Sequence, residues 1–432
     1  MNKINIIFDS KVFLDGFFTK STSRSGVFFT AMNVLQVMQR NKVFHITLTY
    51  PLEYEWTANL RKIKREKVFS QFKFICTGLR SFENSIQIPQ NIKEHKKNKK
   101  YIRMIYNYIK LLKYDIMSKL YNNKKTCYSE KIFINAHVFL SPFDAIPESI
   151  INQEHIKKTY ILYDLIPIIF SEYYNIPVIK PIMNTFNRDI YAFCISQSCK
   201  DDYLKYCGDK LDANKMYVTH IATNQQYIPK YDKQELIKVL RKYNIEYNPD
   251  NKYLFSLCSL EPRKNIPFTV TCFLKFIKKH NINDIYFYLG GSAWKSFEFV
   301  MEKTLEEAGQ FSNKIKLLGY IDDSDLNILY SNSLFFTFLS QYEGFGMPPL
   351  EAMQAGTPVI TSNNSSLPEV VGDAAISLTY NDEEAVIKAF EDFYFNEDLR
   401  NEYIKKGLER AKIFSWEKCA GKMMEVIEEI VK

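Results

Sequence analysis

Short continuous apolar runs alternate with helical spacings along the first half of the chain. Residues 4–8 form a strand-like run, a Ser/Thr/Gly loop covers 19–26, a helical pattern spans 27–38, and a second strand falls at 44–50. Further strands are predicted at 131–140, 159–162 and 191–196, and this half of the chain is expected to end near 216–221. A polar, helix-forming stretch at 231–243 leads into a second series of buried strands, at 253–257, 285–290, 315–318, 334–339 and 358–361. Each of these is followed by a turn and a helical pattern. Strand, loop, helix, strand is the grammar of a parallel sheet, so the pattern predicts an α/β fold of two Rossmann-like domains in tandem. The expected division is 1–225 for the first domain, 226–410 for the second, and a last helix, 411–432, returning to the first. Doubly wound sheets bind ligands at the carboxyl ends of their strands, so the chemistry is expected in those loops, facing a central cleft.

Composition narrows the class without changing this picture. A chain of 432 residues with 46% hydrophobic and 25% charged residues is globular rather than fibrous or disordered. No apolar run approaches the roughly 18 residues that a membrane span needs, and the first ten residues lack a cleavage signal, so a cytoplasmic protein is expected. Eight cysteines show no C-x-x-C pair and six histidines no H-x-x-x-H spacing. Neither a zinc site nor a disulfide framework is indicated, and the thiols are read as core.

Charge is distributed unevenly. Residues 91–131 carry twelve Lys or Arg against three Asp or Glu, a net of +9, while the whole chain carries +8. Within this insert Ile102, Ile105, Ile109, Leu112, Ile116 and Leu120 recur at helical spacings among lysines, a basic amphipathic helix. Such a face suits either an anionic membrane surface or an ordinary core-packed helix. The tyrosines here form no recognisable nucleic-acid motif, so nucleic acid is not an expected partner.

The densest chemical signal is residues 340–353, directly after the strand at 334–339. Gly344 and Gly346 let the backbone approach a ligand, and Pro348 or Pro349 suits the first turn of a helix whose N–H groups would favour an anion. Glu343 before that helix and Glu351 within its first turn offer two acceptors for sugar hydroxyls. The G-x-G-x-x-G dinucleotide fingerprint fails, because Pro349 stands at the third glycine. A second cluster, Glu261-Pro262-Arg263-Lys264-Asn265, follows the strand at 253–257 and supplies a cationic clamp for a diphosphate. Asp323-Ser324-Asp325 matches a metal-holding D-x-D pattern but is read as a cap for a helix starting near Asp325. Ser366 and Glu369 have capping-box spacing. His137 is read as structural.

These clusters, together with Gly356-Thr357-Pro358-Val359 and the run from Leu367 to Ala375, resemble family four of the retaining glycosyltransferases, which have the GT-B fold. The likeness is dense from Tyr253 to Ala375 and thins in the first half to Ser141-Pro142-Phe143, Tyr163-Asp164-Leu165-Ile166-Pro167 and Ile195-Ser196-Gln197-Ser198. The resemblance implies that Arg263 and Lys264 hold the donor diphosphate, Glu343 contacts the transferred sugar, and Glu351 binds the ribose hydroxyls. It further implies that Gly344, Phe345, Gly346 and Met347 line the donor, that Tyr320 lies where the base is met, and that Gly26 approaches donor phosphates and acceptor. Tyr163, beside Asp164, stands where the family often has histidine; tyrosine can donate a hydrogen bond but is a poor base near neutral pH.

The resulting expectation is a metal-independent retaining hexosyltransferase or deoxyhexosyltransferase, with a nucleotide-sugar donor as co-substrate and no cofactor. The acceptor would be a glycan or lipid-linked glycan in bacterial surface polysaccharide synthesis, with possible contact to the inner face of the membrane. The competing expectation is a catalytically silent GT-B subunit that only binds a sugar nucleotide or glycan.

Overall fold

The computed structural model describes residues 3–13, 26–50, 69–76, 133–174, 179–223, 227–291 and 295–432. The basic amphipathic insert at 91–131 lies outside the described residues, as do Ser25 and most of the loop at 19–26. The chain divides into two compact units. One comprises Met1–Cys194, Lys200–Thr219 and Trp416–Lys432, the other Ile195–Cys199 and His220–Ser415.

The first unit is built on β1 (Ile4–Asp9), β2 (Phe44–Tyr50), β3 (Lys73–Cys76), β4 (Val138–Ser141), β5 (Lys157–Leu162), β6 (Tyr191–Cys194) and β7 (Met216–Val218). They form one parallel sheet in the order β3-β2-β1-β4-β5-β6-β7. Helix Gly26–Arg40 buries Phe28, Ala31, Val34, Leu35 and Met38 at helical spacing. Helix Trp416–Val431 packs against it and buries Cys419, Ala420, Met423, Val426 and Ile427. Each large apolar side chain removed from water in this way is worth about 1.5–3 kcal/mol, whereas the exposed Arg40–Glu417 pair at their ends, 3.4 Å apart, adds little.

The second unit carries β8 (Lys252–Leu257), β9 (Ile285–Gly290), β10 (Ile315–Gly319), β11 (Phe335–Phe338), β12 (Val359–Ser362) and β13 (Ala375–Leu378), parallel in the order β10-β9-β8-β11-β12-β13. β11 and β12 are buried at every position, as continuous apolar strands covered on both faces should be. Both sheets are Rossmann-like. In each, the strand order reverses beside the first strand, at β1 and β4 in one and at β8 and β11 in the other, and such reversals are where open α/β sheets bind ligands.

Several expected boundaries move. The strand predicted at 131–140 begins only at Val138, because residues 133 and 134 are helical. His137 precedes it with Nδ1 accepting the Asn5 N–H at 3.0 Å, a structural role. β6 stops at Cys194, short of the predicted Ser196, because residues 195 and 196 bend into helix Gln197–Cys207. β3, β7 and β13 have no counterpart among the predicted strands. All are edge strands of three or four residues, too short for their apolar positions to establish a period. Six of the eight cysteines are described as free and buried, which accords with their reading as core.

Candidate functional site

The strand order of the second sheet sets the carboxyl ends of β8 and β11 side by side. After β8, the Cys258 N–H donates to Gly290 O at 3.1 Å. Gly291, at φ +118°, is required there: a Cβ would lie 1.7 Å from Cys258 O. The chain then makes a single 3-10 turn, Pro262–Lys264, and Asn265 takes the left-handed conformation before helix Ile266–Lys279. The turn aims two consecutive cations at the loop after β11, and the Gln341 N–H bonds Arg263 O at 2.8 Å to join the two loops.

Arg263 is 6% exposed and fully engaged. Its Nη2 lies 2.7 Å from Glu261 Oε1, its Nη1 lies 2.9 Å from Glu343 Oε1, and Nη1 also donates to Tyr342 O. Lys264 Nζ sits 2.6 Å from the same Glu343 oxygen and 5.0 Å above the Phe338 ring. Burial alone would raise the Glu343 carboxyl, but the charges of Lys264 and Arg263 outweigh it and hold the group below the usual carboxylate range. The expected diphosphate clamp is therefore internally paired in the unliganded chain. That pairing fixes where Glu343 points.

Hydroxyl groups fix the loop that follows. The Glu343 N–H donates to Ser365 Oγ at 2.9 Å, and the Ser366 hydroxyl lies 2.9 Å from Glu343 O and 2.7 Å from Phe345 O. Ser196 donates to Gly344 O at 2.8 Å. The capping-box spacing of Ser366 and Glu369 is thus not used as a box: no side chain caps helix Leu367–Val371. Glu369 instead accepts the N–H groups of Gln197 and Ser198, at 2.6 and 2.7 Å, and lies 3.1 Å from His220 Nε2. The Glu369 carboxyl is lowered because these donors outweigh its desolvation.

Helix Met347–Gln354 begins one residue before Pro348, with Gly346 at φ +120° as its cap. Because Pro348 and Pro349 carry no N–H, the helix itself contributes only the Met347 donor, fewer than the sequence suggested. Among the described residues, the N–H groups of Gly344, Phe345, Gly346 and Met347 have no hydrogen-bond partner. These four consecutive donors precede the positive end of a helix dipole. Glu351, further along the same helix, is buried without a cation. Tyr330 donates to its Oε2 at 2.9 Å, and Tyr227 also hydrogen-bonds it. Burial pushes the Glu351 carboxyl up to about 7 against the pull of these two phenols.

Tyr320 is 70% exposed and follows Gly319, whose carbonyl accepts the Gly291 N–H at 2.7 Å, so it stands at the same edge of the sheet as the β8 loop. The D-x-D pattern does not cap as expected. The helix starts at Asp323, two residues early, and Asp325 instead lies 2.6 Å from Lys242 Nζ and accepts the Tyr243 hydroxyl at 2.7 Å. Its carboxyl is desolvated, yet these bonds hold it below the usual range. Gly26, Tyr163 and Asp164 belong to the first unit. There the buried Tyr163 hydroxyl lies 3.4 Å from Val27 O, next to Gly26, its ring meets Phe143 edge-on, and Asp164 accepts the Ile166 N–H at 3.1 Å. Tyr163 thus packs beside the start of helix Gly26–Arg40.

Sequence reasoning brought together Arg263, Lys264, Glu343, Glu351 and residues 344–347, and missed Tyr330, Tyr227, Ser365 and the bonds of Ser366 to the Glu343 loop. Tyr330 lies on a core stripe with Leu326 and Leu329, so its sequence signal is that of a packing residue. Glu261 could have been found from its place two residues before Arg263.

Residues 240–410 match the family described as glycosyl transferases group 1. The O-antigen chain mannosyltransferase B of Escherichia coli is 35% identical over 207 residues, which are 48% of this chain and 52% of that protein. The chain thus spans about half the length of that relative. Among solved structures, sucrose-phosphate synthase from Thermosynechococcus elongatus covers 99% of both chains at a TM-score of 0.65 and 15% identity. Anabaena HepE in complex with UDP and glucose covers 99% of this chain and 100% of its own at a TM-score of 0.62 and 12% identity. The fold is that of the GT-B glycosyltransferases. Among the described residues, no helix is long and apolar enough to cross a membrane.

Proposed function

We propose that the chain is a retaining glycosyltransferase of family four that moves a hexosyl group, mannosyl first among candidates, from a nucleoside-diphosphate sugar to a glycan or lipid-linked glycan of a bacterial surface polysaccharide. The observation that carries the reading is the Glu343 carboxylate held by Lys264 and Arg263 at the strand-order reversal of the second sheet. The matched mannosyltransferase and the UDP-bound relative support the transferred group and the donor class.

In this reading the diphosphate meets the unpartnered N–H groups of residues 344–347 and draws Lys264 and Arg263 toward it. A preorganised positive field of this kind stabilises the leaving group with no metal required. Glu343 orients the sugar and Glu351 receives the ribose hydroxyls. The acceptor oxygen bonds to the anomeric carbon as the bond to the phosphate oxygen breaks, and the acceptor proton passes to a diphosphate oxygen on the same face. In the first unit the Tyr163 hydroxyl, 3.4 Å from Val27 O, is a hydrogen-bond donor rather than a base. The insert at 91–131 would hold the enzyme on anionic lipid, and failure to sediment with anionic vesicles at low salt would remove that part.

The test is a thermal-shift panel of UDP, GDP, CDP, ADP and dTDP and their sugar conjugates on wild type and Lys264→Ala, followed by transfer assays whose product anomers are assigned by NMR. One nucleotide should stabilise wild type only, and its conjugate should turn over with retained configuration. Binding with no transfer to any glycan acceptor would favour a silent subunit.

A further inference from the structure

Glu351 is surrounded by donors that carry no charge. Its helix, Met347–Gln354, buries it opposite helix Asp323–Ser331, from which the fully buried Tyr330 reaches its Oε2 at 2.9 Å. Tyr227 packs edge-on against Tyr330 with ring centroids 5.6 Å apart and supplies the second hydrogen bond. Tyr330 is itself clamped: Phe255 and Phe336 contact its ring at 5.3 Å each, and its carbonyl accepts from Thr357 Oγ1 at 2.6 Å and Ser333 Oγ at 2.8 Å. A phenol so confined cannot rotate away from the carboxylate.

A carboxylate accepts about four hydrogen bonds, and the two phenols use two of them. The two that remain match a vicinal pair of hydroxyls. We infer that Tyr330 is a positioning residue which, with Tyr227, turns the Glu351 carboxylate so that its unused lone pairs meet both ribose hydroxyls, restricting the donor to ribonucleotide sugars. The inference rests on the proposed function. The titratable groups facing Glu351 are Tyr330, Tyr227 and Asp323, and the Asp323 charge works against its ionisation. The Tyr330 hydroxyl keeps its proton, since burial raises it well above the ordinary value. Glu351 is therefore the group that titrates, and binding should weaken as the pH falls below about 7.

The experiment is calorimetric binding of UDP, GDP, ADP and CDP and their 2′-deoxy counterparts between pH 5.5 and 9, on wild type, Tyr330→Phe, Tyr227→Phe and Glu351→Gln. Wild type should prefer the ribonucleotide by at least about tenfold, as expected for a lost hydrogen bond to a charged group. In Tyr330→Phe the inflection should move to higher pH and the ribose preference should fall about tenfold. Tyr227→Phe should move both in the same direction and carries the test if Tyr330→Phe does not fold. Glu351→Gln should lose this inflection and keep only the one given by the nucleotide's own terminal phosphate, whose second pKa is about 6. A folded Tyr330→Phe or Tyr227→Phe that keeps the wild-type inflection and ribose preference overturns the inference while leaving the function intact. A wild-type chain that binds none of the nucleotides overturns both.

Discussion

Around Glu343, at the loop after β11, two cations share one carboxylate oxygen; around Glu351, inside the helix that follows, two neutral phenols do the holding. Both side chains are buried, so burial does not distinguish them. Partner charge does. Glu343 stays ionised wherever the protein is folded near neutrality, whereas Glu351 is poised at the edge of ionisation. One sheet edge thus carries a permanent anion beside the diphosphate clamp and a conditional one beside the proposed ribose site.

The comparison is broken most severely at Glu343. Glu343→Gln leaves Lys264 and Arg263 without their carboxylate in a buried place, a change that costs about 3–5 kcal/mol in comparable pairs, and transfer should fall by about a hundredfold or more. The lowered carboxyl contributes stability that is present above the unfolded value and is lost as the pH falls through the folded one. Urea unfolding should therefore show the gap between wild type and variant narrowing in acid, and equal stability at pH 8 would refute the pairing.

At Glu351 the sign reverses. Its folded value of about 7 lies above the unfolded one, so ionisation costs stability in full above pH 7 and that cost is relieved as the pH falls toward the unfolded value. Glu351→Gln should raise stability by about 2 kcal/mol at pH 8 and change it little at pH 5. A variant less stable than wild type at pH 8 would contradict this account of its surroundings.

The smallest effect sharpens the boundary of the site. Asp325 is engaged by Lys242 and Tyr243 on the outer side of the Tyr330 helix. Asp325→Asn should leave transfer within about twofold of wild type, with or without a chelator. A chelator-sensitive loss confined to wild type would restore the metal reading of the D-x-D pattern.

How much of this was legible depended on distance along the chain. The buried strands β8, β9, β11 and β12 announced themselves as apolar runs, and residues 343–351 declared a ligand loop through glycine, proline and carboxylate in one stretch. The internal pairing of the clamp did not show, because Lys264 and Glu343 lie 79 positions apart and meet only through the β8–β11 pairing. Tyr330 escaped for another reason: a core helix stripe gives a tyrosine no mark to say whether its hydroxyl is used. The capping-box spacing misled because local geometry lost to tertiary partners, with Ser366 bonding the Glu343 loop and Glu369 the chain at 197–198.

The packing of helix Trp416–Val431 on helix Gly26–Arg40 also sets an order of assembly during synthesis. The second unit has all its segments once residue 415 has left the ribosome, whereas the apolar face of Gly26–Arg40, made hundreds of residues earlier, waits for the last helix to emerge. The half of the protein translated first is therefore the half completed last, and until then the face that the last helix covers is the surface a chaperone would recognise.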